Sequence, residues 1–144
     1  MNERTIILIE DNPDDRELTL RALKRCRPNQ AVMVMEDGAE ASAFLTNPKR
    51  SSTAEQRIRP VLILLDLKMP KVDGLELLKR LRSEPSTRLI PIVVLTSSNE
   101  RRDVQSAYQS GANSYLTKPV EFERFVELID CVCRYWLDCN EPHY

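Results

Sequence analysis

An open α/β sheet is the fold this sequence predicts, and three observations lead to it. Short apolar segments recur five times, at about 4–9, 31–35, 61–65, 91–95 and 114–117. Helix-patterned stretches separate them, the alternation expected of parallel strands joined by crossover helices. Polar side chains with chemical capacity follow these segments directly: Glu10 and Asp11, then Asp66, Thr96 and Lys118. Folds of this class gather their chemistry at the carboxyl ends of the strands.

The elements follow in order. Thr-Ile-Ile-Leu-Ile (5–9) is apolar throughout, as a parallel strand covered on both faces must be. Asp14 and Glu17 form a box-like pair opening a helix through about Cys26, with Leu18, Ala22, Leu23 and Cys26 inward. After the second strand, a loop of about fourteen residues lies between Asn47 and Pro60, longer than the usual connection of about 2–6. It carries Lys49, Arg50, Arg57 and Arg59 and is expected to be solvated, with partner contact as the alternative. Val61 to Leu65 form the third strand, ending at Asp66, and Asp73 with Glu76 repeat the box ahead of Leu75, Leu78 and Leu81. Ile92 to Leu95 lead to Thr96, and a helix from about Glu100 to Ser110 stops at Gly111, a residue suited to ending it.

The last helix begins near Glu121 and carries two stripes. Phe122, Phe125, Val126, Ile129, Val132, Cys133 and Trp136 form the core face, while Leu128, Cys131, Tyr135 and Cys139 lie about 100° around the wheel. One helix on one sheet buries one stripe. The second therefore predicts an interface at Leu128, Cys131, Tyr135 and Trp136, and with it a homodimer.

Composition bounds the function. The 144 residues suffice for one domain with a core, and 42% apolar with 30% charged residues fits a globular chain. A net charge of −1 provides no field favouring nucleic acid or an anionic membrane. No apolar run approaches the roughly 20 residues of a membrane span, and Met1 to Arg4 lead straight into a strand, unlike a signal peptide. A cytoplasmic location is expected. Cys26, Cys131, Cys133 and Cys139 lack metal-binding spacing, and His143 is the only histidine, so neither a zinc site nor a histidine-based triad is expected.

Three acids, a hydroxyl and an amine on one rim suit phosphoryl transfer to Asp66. An acyl phosphate brings about two further negative charges among carboxylates, which Mg²⁺ can offset while keeping several waters. Glu10 and Asp11 supply carboxylates, and Asp66 supplies a ligand oxygen and the nucleophile. Lys118 offers a point charge and Thr96 a hydroxyl donor, which is most of what such transfer requires.

The motifs Ile9-Glu10-Asp11-Asn12, Leu64-Leu65-Asp66-Leu67-Lys68-Met69-Pro70 with Asp73-Gly74, Leu95-Thr96-Ser97 and Tyr115-Leu116-Thr117-Lys118-Pro119 resemble a response-regulator receiver domain of the CheY type. The resemblance covers about residues 4–137, within a single domain of 1–144 that ends in an extension of about 137–144. It implies a flavodoxin-like, doubly wound sheet of five parallel strands in the order 2-1-3-4-5. It also implies Asp66 as phosphoacceptor and Mg²⁺ ligands Glu10 (through water), Asp11, Asp66 and the Lys68 backbone carbonyl. A switch pair of Thr96 and Tyr115 follows, together with a cis peptide before Pro119. Glu10 stands where the family more often has Asp, and Ser97 where it more often has Ala.

The ending Tyr135-Trp136-Leu137, the long loop and Asn113-Ser114-Tyr115 resemble regulators paired with cyanobacterial and bacterial phytochrome histidine kinases. A sensor histidine kinase of the bacteriophytochrome kind is the partner so implied, and the chain catalyses only its own phosphotransfer and dephosphorylation. Other classes fit less well. Lys68 stands where a dehalogenase-type phosphatase needs a second acid, and the acids after the first strand would repel an unescorted flavin phosphate. No Walker loop or DNA-binding module is evident. A receiver-like module that interacts without phosphorylation is the remaining alternative.

Overall fold

The computed structural model describes residues 3–47, 58–69 and 73–143. Five strands, β1 (Glu3–Ile9), β2 (Ala31–Met35), β3 (Ile58–Leu65), β4 (Ile92–Thr96) and β5 (Ser114–Thr117), form one sheet in the order β2-β1-β3-β4-β5. Every pairing is parallel. The helices are α1 (Pro13–Cys26), α2 (Gly38–Leu45), α3 (Gly74–Ser83), α4 (Arg101–Gln109) and α5 (Phe122–Cys133), and α5 runs on into a π-helical segment, Arg134–Cys139. The fold class and strand order are as expected. Most of the long loop, residues 48–57, lies outside the described residues, as do Pro70, Lys71 and Val72.

Alternation along the strands sorts the core into two layers. Ile6, Leu8, Leu62, Leu64, Val93 and Leu95 point to α1 and α5, meeting Ala22, Leu23, Phe125, Ile129, Val132 and Cys133. Ile7, Ile9, Ile63, Leu65 and Ile92 point the other way, to Ala41 and Leu45 of α2 and Leu77, Leu78 and Leu81 of α3. Burying one such side chain contributes about 1.5–3 kcal/mol, and both faces of the sheet are covered. That double cover is why the strands read as unbroken apolar runs.

Local expectations hold in part. Asp73 caps α3, its carboxylate accepting from the Leu75 amide, and Gly111 takes φ +110 after α4. The cap of α1 is Asn12, not Asp14; its side chain accepts from the Asp14 and Asp15 amides, with Pro13 opening the helix. The inward face of α1 accordingly centres on Thr19, Ala22 and Leu23, while Leu18 is 39% exposed. Thr19 can occupy the core because its hydroxyl donates to the Asp15 carbonyl at 2.9 Å. β3 starts three residues earlier than 61, because a register shift between Thr5 and Ile6 of β1 lets Pro60 join the pairing. Among the described residues every peptide bond is trans, so the expected cis bond before Pro119 is not present. The Lys118 amide donates to the Thr96 carbonyl at 2.8 Å and Lys118 reaches the site with the trans geometry that prolyl bonds favour.

Among the described residues no helix is long and apolar enough to cross a membrane.

Candidate functional site

Backbone bonding sets the rim. The amide of Glu10 donates to the Met35 carbonyl, that of Asp66 to Ile9 and that of Lys118 to Thr96. Each acceptor is the last residue of a neighbouring strand, so each site residue extends the ladder one step beyond the sheet. Glu10, Asp66, Thr96 and Lys118 are thereby held on adjacent strand ends by backbone, and not by loop packing alone.

The carboxylates converge on one ammonium. Lys118 Nζ lies 2.7 Å from Glu10 Oε1, 3.5 Å from Asp66 Oδ2 and 3.7 Å from Asp15 Oδ2. Glu10, Asp15 and Asp66 each offer an oxygen within 4.8 Å of the others. Glu10 is nearly fully buried, and that burial, with the charge of Asp66 adding to it against the Lys118 hydrogen bond, pushes its carboxyl up to about 7. Burial opposes the Lys118 charge, yet the hydrogen bond to Glu10 and the charges of Glu10 and Asp66 outweigh it and raise its pKa. Three acids face one base in a partly enclosed site. Oxygen ligands so arranged suit a small divalent cation.

A second feature points the same way. Among the described residues, Thr96 Oγ1 is buried with no hydrogen-bond partner. An unsatisfied hydroxyl of this kind costs roughly 1–3 kcal/mol, and an incoming oxygen acceptor would remove the cost. Asp66 itself is oriented by the Lys68 amide, which donates to Oδ1 at 3.1 Å. The Lys68 side chain is exposed.

The structure brings the Glu10, Asp66 and Lys118 side chains together, and Thr96 stands on the strand end between Asp66 and Lys118. Asp11 is half-buried and stands outside the carboxylate group, its carbonyl accepting from Arg16 at 3.2 Å. Asp15, in the first turn of α1, takes a place there that sequence reasoning did not assign. Its signal was an acid in the first turn of the helix that follows Glu10. Tyr115 is half-buried, its hydroxyl donating to the Ser98 carbonyl at 2.7 Å. Desolvation raises its pKa, the hydrogen bond to Ser98 only partly opposing this.

Two surface features flank the rim. A cavity of about 330 Å³ lies beside Lys118, lined by Asp15, Leu18, Thr19, Ser97, Val120 and Phe122 among others, with Val120 fully exposed. On the edge strand β5, a groove of about 400 Å³ is lined by Leu128, Cys131, Tyr135 and Trp136 together with Asn113, Ser114 and Leu116. Tyr135 is 53% exposed and stacks edge-on against Trp136 at 4.9 Å.

Comparison with known proteins matches residues 6–130 to the response regulator receiver domain. The response regulator Rcp1 of Synechocystis sp. is 35% identical over 135 residues, which are 94% of this chain and 90% of Rcp1. The Mn(2+)-bound structure of Rcp1 aligns with a TM-score of 0.82 at 33% identity, covering 98% of this chain and 99% of the other. The phosphorylated cyanobacterial phytochrome response regulator RcpA gives a TM-score of 0.87 at 33% identity and covers 99% of both chains. The bacteriophytochrome response regulator RtBRR is 45% identical, with a TM-score of 0.73 over 97% of this chain and 84% of its own.

Proposed function

The chain belongs to the response-regulator receiver family, and we propose that Asp66 is its phosphoacceptor and that the phosphorylated form signals by protein–protein contact. One observation carries this: the Lys118 ammonium bridges Glu10 and Asp66, and on the adjacent strand end the buried Thr96 hydroxyl has no partner among the described residues.

Asp66 supplies the attacking oxygen, and the Lys68 amide at its Oδ1 holds the carboxylate in place. As the new P–O bond forms and the bond to the donor nitrogen breaks, Lys118 stabilises charge gathering on the phosphoryl oxygens. Thr96 donates its hydroxyl to one of those oxygens, which couples phosphorylation to the β4–α4 loop and, through Ser98, to Tyr115. Glu10 and Asp66 would hold Mg²⁺ with Asp15 near enough to assist, and Asp11 and the Lys68 carbonyl are the further ligands that the family resemblance implies. Bound there, the ion neutralises the charge between phosphoryl oxygens and carboxylates.

The donor is a sensor histidine kinase, and the names of RcpA and RtBRR favour the phytochrome class. The cavity beside Lys118, with exposed Leu18 and Val120 at its edge, gives the donor an apolar seat next to Asp66. Mg²⁺-dependent exchange of this kind suits a cytoplasmic protein. The β5–α5 groove suits a second copy of the chain, with Leu128, Cys131, Tyr135 and Trp136 as the contact.

Acetyl phosphate labelling followed by intact-mass measurement tests the assignment. The expected result is one added phosphoryl group on the wild type, none after EDTA and none on Asp66→Asn. An equal mass gain on Asp66→Asn would overturn it.

A further inference from the structure

We propose that Asp103 is a positioning residue for phosphoryl binding, holding the β4–α4 loop through the Ser98 hydroxyl so that Thr96 presents its own hydroxyl to the site. The proposal rests on Asp66 as phosphoacceptor. Ser98 lies two residues beyond Thr96 and is buried. Its hydroxyl donates to Asp103 Oδ2 at 2.5 Å, and its carbonyl accepts from the Tyr115 hydroxyl at 2.7 Å. The hydroxyl and the carbonyl of Ser98 are therefore tied to other elements, α4 on one side and β5 on the other. A hydrogen bond to a carboxylate is stronger than one between neutral groups, so the Asp103 link is the firmer of the two.

The two ends of α4 differ in a way that gives this link leverage. At the C-terminal end, the Arg82 side chain donates to the Gly111 carbonyl at 2.8 Å and to Asn113 Oδ1 at 2.6 Å. At the N-terminal end, Glu100 makes no side-chain cap, and Asp103 in the first turn reaches out to Ser98 instead. A helix fixed at its far end thus serves as a post for the loop. The Thr96 carbonyl is held from the other side by the Lys118 amide at 2.8 Å. Between these anchors the Thr96 hydroxyl stays buried and unpartnered, where a slack loop could turn it to a backbone acceptor or to water. A contact that favours the presenting form raises affinity for any ligand that needs this hydroxyl.

Beryllofluoride, a phosphoryl mimic, provides the probe. Its dissociation constant at saturating Mg²⁺ is measured by calorimetry for the full chain, Asp103→Ala, Ser98→Ala, the double variant and Asp66→Asn. Asp103→Ala and Ser98→Ala are each expected to weaken binding on the order of tenfold, with no further loss in the double variant and with affinity for Mg²⁺ alone unchanged. Wild-type beryllofluoride affinity in Asp103→Ala overturns the proposal, and so do additive losses in the double variant. If Asp103→Ala does not fold, Asp103→Leu, close to Asp in shape but without an acceptor, carries the same comparison. Wild-type binding by Asp66→Asn would overturn the acceptor assignment instead, a separately visible failure.

Discussion

Glu10 holds its place among the site residues at an electrostatic cost. Its carboxyl is pushed up to about 7 by burial, while an unfolded chain would ionise it near 4.5. Below about pH 4.5 the group is protonated in both states and contributes nothing to the balance. As pH rises towards 7 the unfolded form sheds the proton first, so this group lowers the stability of the metal-free protein across that window. A bound divalent cation reverses the preference, since it requires the carboxylate and displaces the proton. Affinity for Mg²⁺ is therefore expected to rise with pH up to about 7 and then level, approaching about tenfold per unit on the rising limb. Calorimetric titration from pH 5.5 to 8 checks this. A curve for Glu10→Gln as steep as that of the wild type would show that another group controls the site.

At the scale of elements, the tightest junction joins α3 to the segment that follows β3. Gly74 opens α3 with its amide donating to the Leu67 carbonyl at 3.1 Å. A Cβ at this position would lie 2.5 Å from Leu67 Cα and 2.8 Å from the Asp66 carbonyl oxygen. Both are backbone atoms, so no side chain can swing aside to make room. Gly74→Ala must push the helix away from the Asp66 segment, with an expected loss of about 1–3 kcal/mol in stability. Slower labelling of Asp66 by acetyl phosphate should accompany it. Urea unfolding together with the labelling rate measures both effects, and full retention of both would show that the junction yields freely.

For the whole molecule, the question is what occupies the groove beside β5. The π-helical segment that forms one wall is tied down by a bidentate ion pair between Arg27 and Asp138, and by Arg4, which donates to the Leu137 carbonyl at 3.3 Å. These ties hold Tyr135 and Trp136 beside an edge strand that has no neighbouring strand on its outer side among the described residues. A symmetric dimer through this face is expected to bury more than about 1,000 Å². Sedimentation at tens of micromolar should give a dimer for the wild type and a monomer for Leu128→Glu/Tyr135→Glu. A dimer that survives the double substitution would place the contact elsewhere.

The sequence by itself determined the strands, their parallel sheet and which polar residues stand at the strand ends. It could do so because a doubly covered strand must be apolar along its whole length, and a strand's end marks where polar chemistry can begin. Asp66, Thr96 and Lys118 were legible for that reason. Only the tertiary structure decided which further residues join them. Asp15 reaches Lys118 because α1 starts at an Asn12 cap, a register that the acid-rich run 10–15 does not reveal. Ser98 and Asp103 read as ordinary polar loop and helix residues until α4 packs its first turn against the β4–α4 loop. The unpartnered Thr96 hydroxyl is likewise invisible in sequence. Strand composition is imposed locally by burial, whereas Asp15 meets Lys118 only when elements far apart along the chain pack together, and Ser98 meets Asp103 only along the folded path of the loop between them.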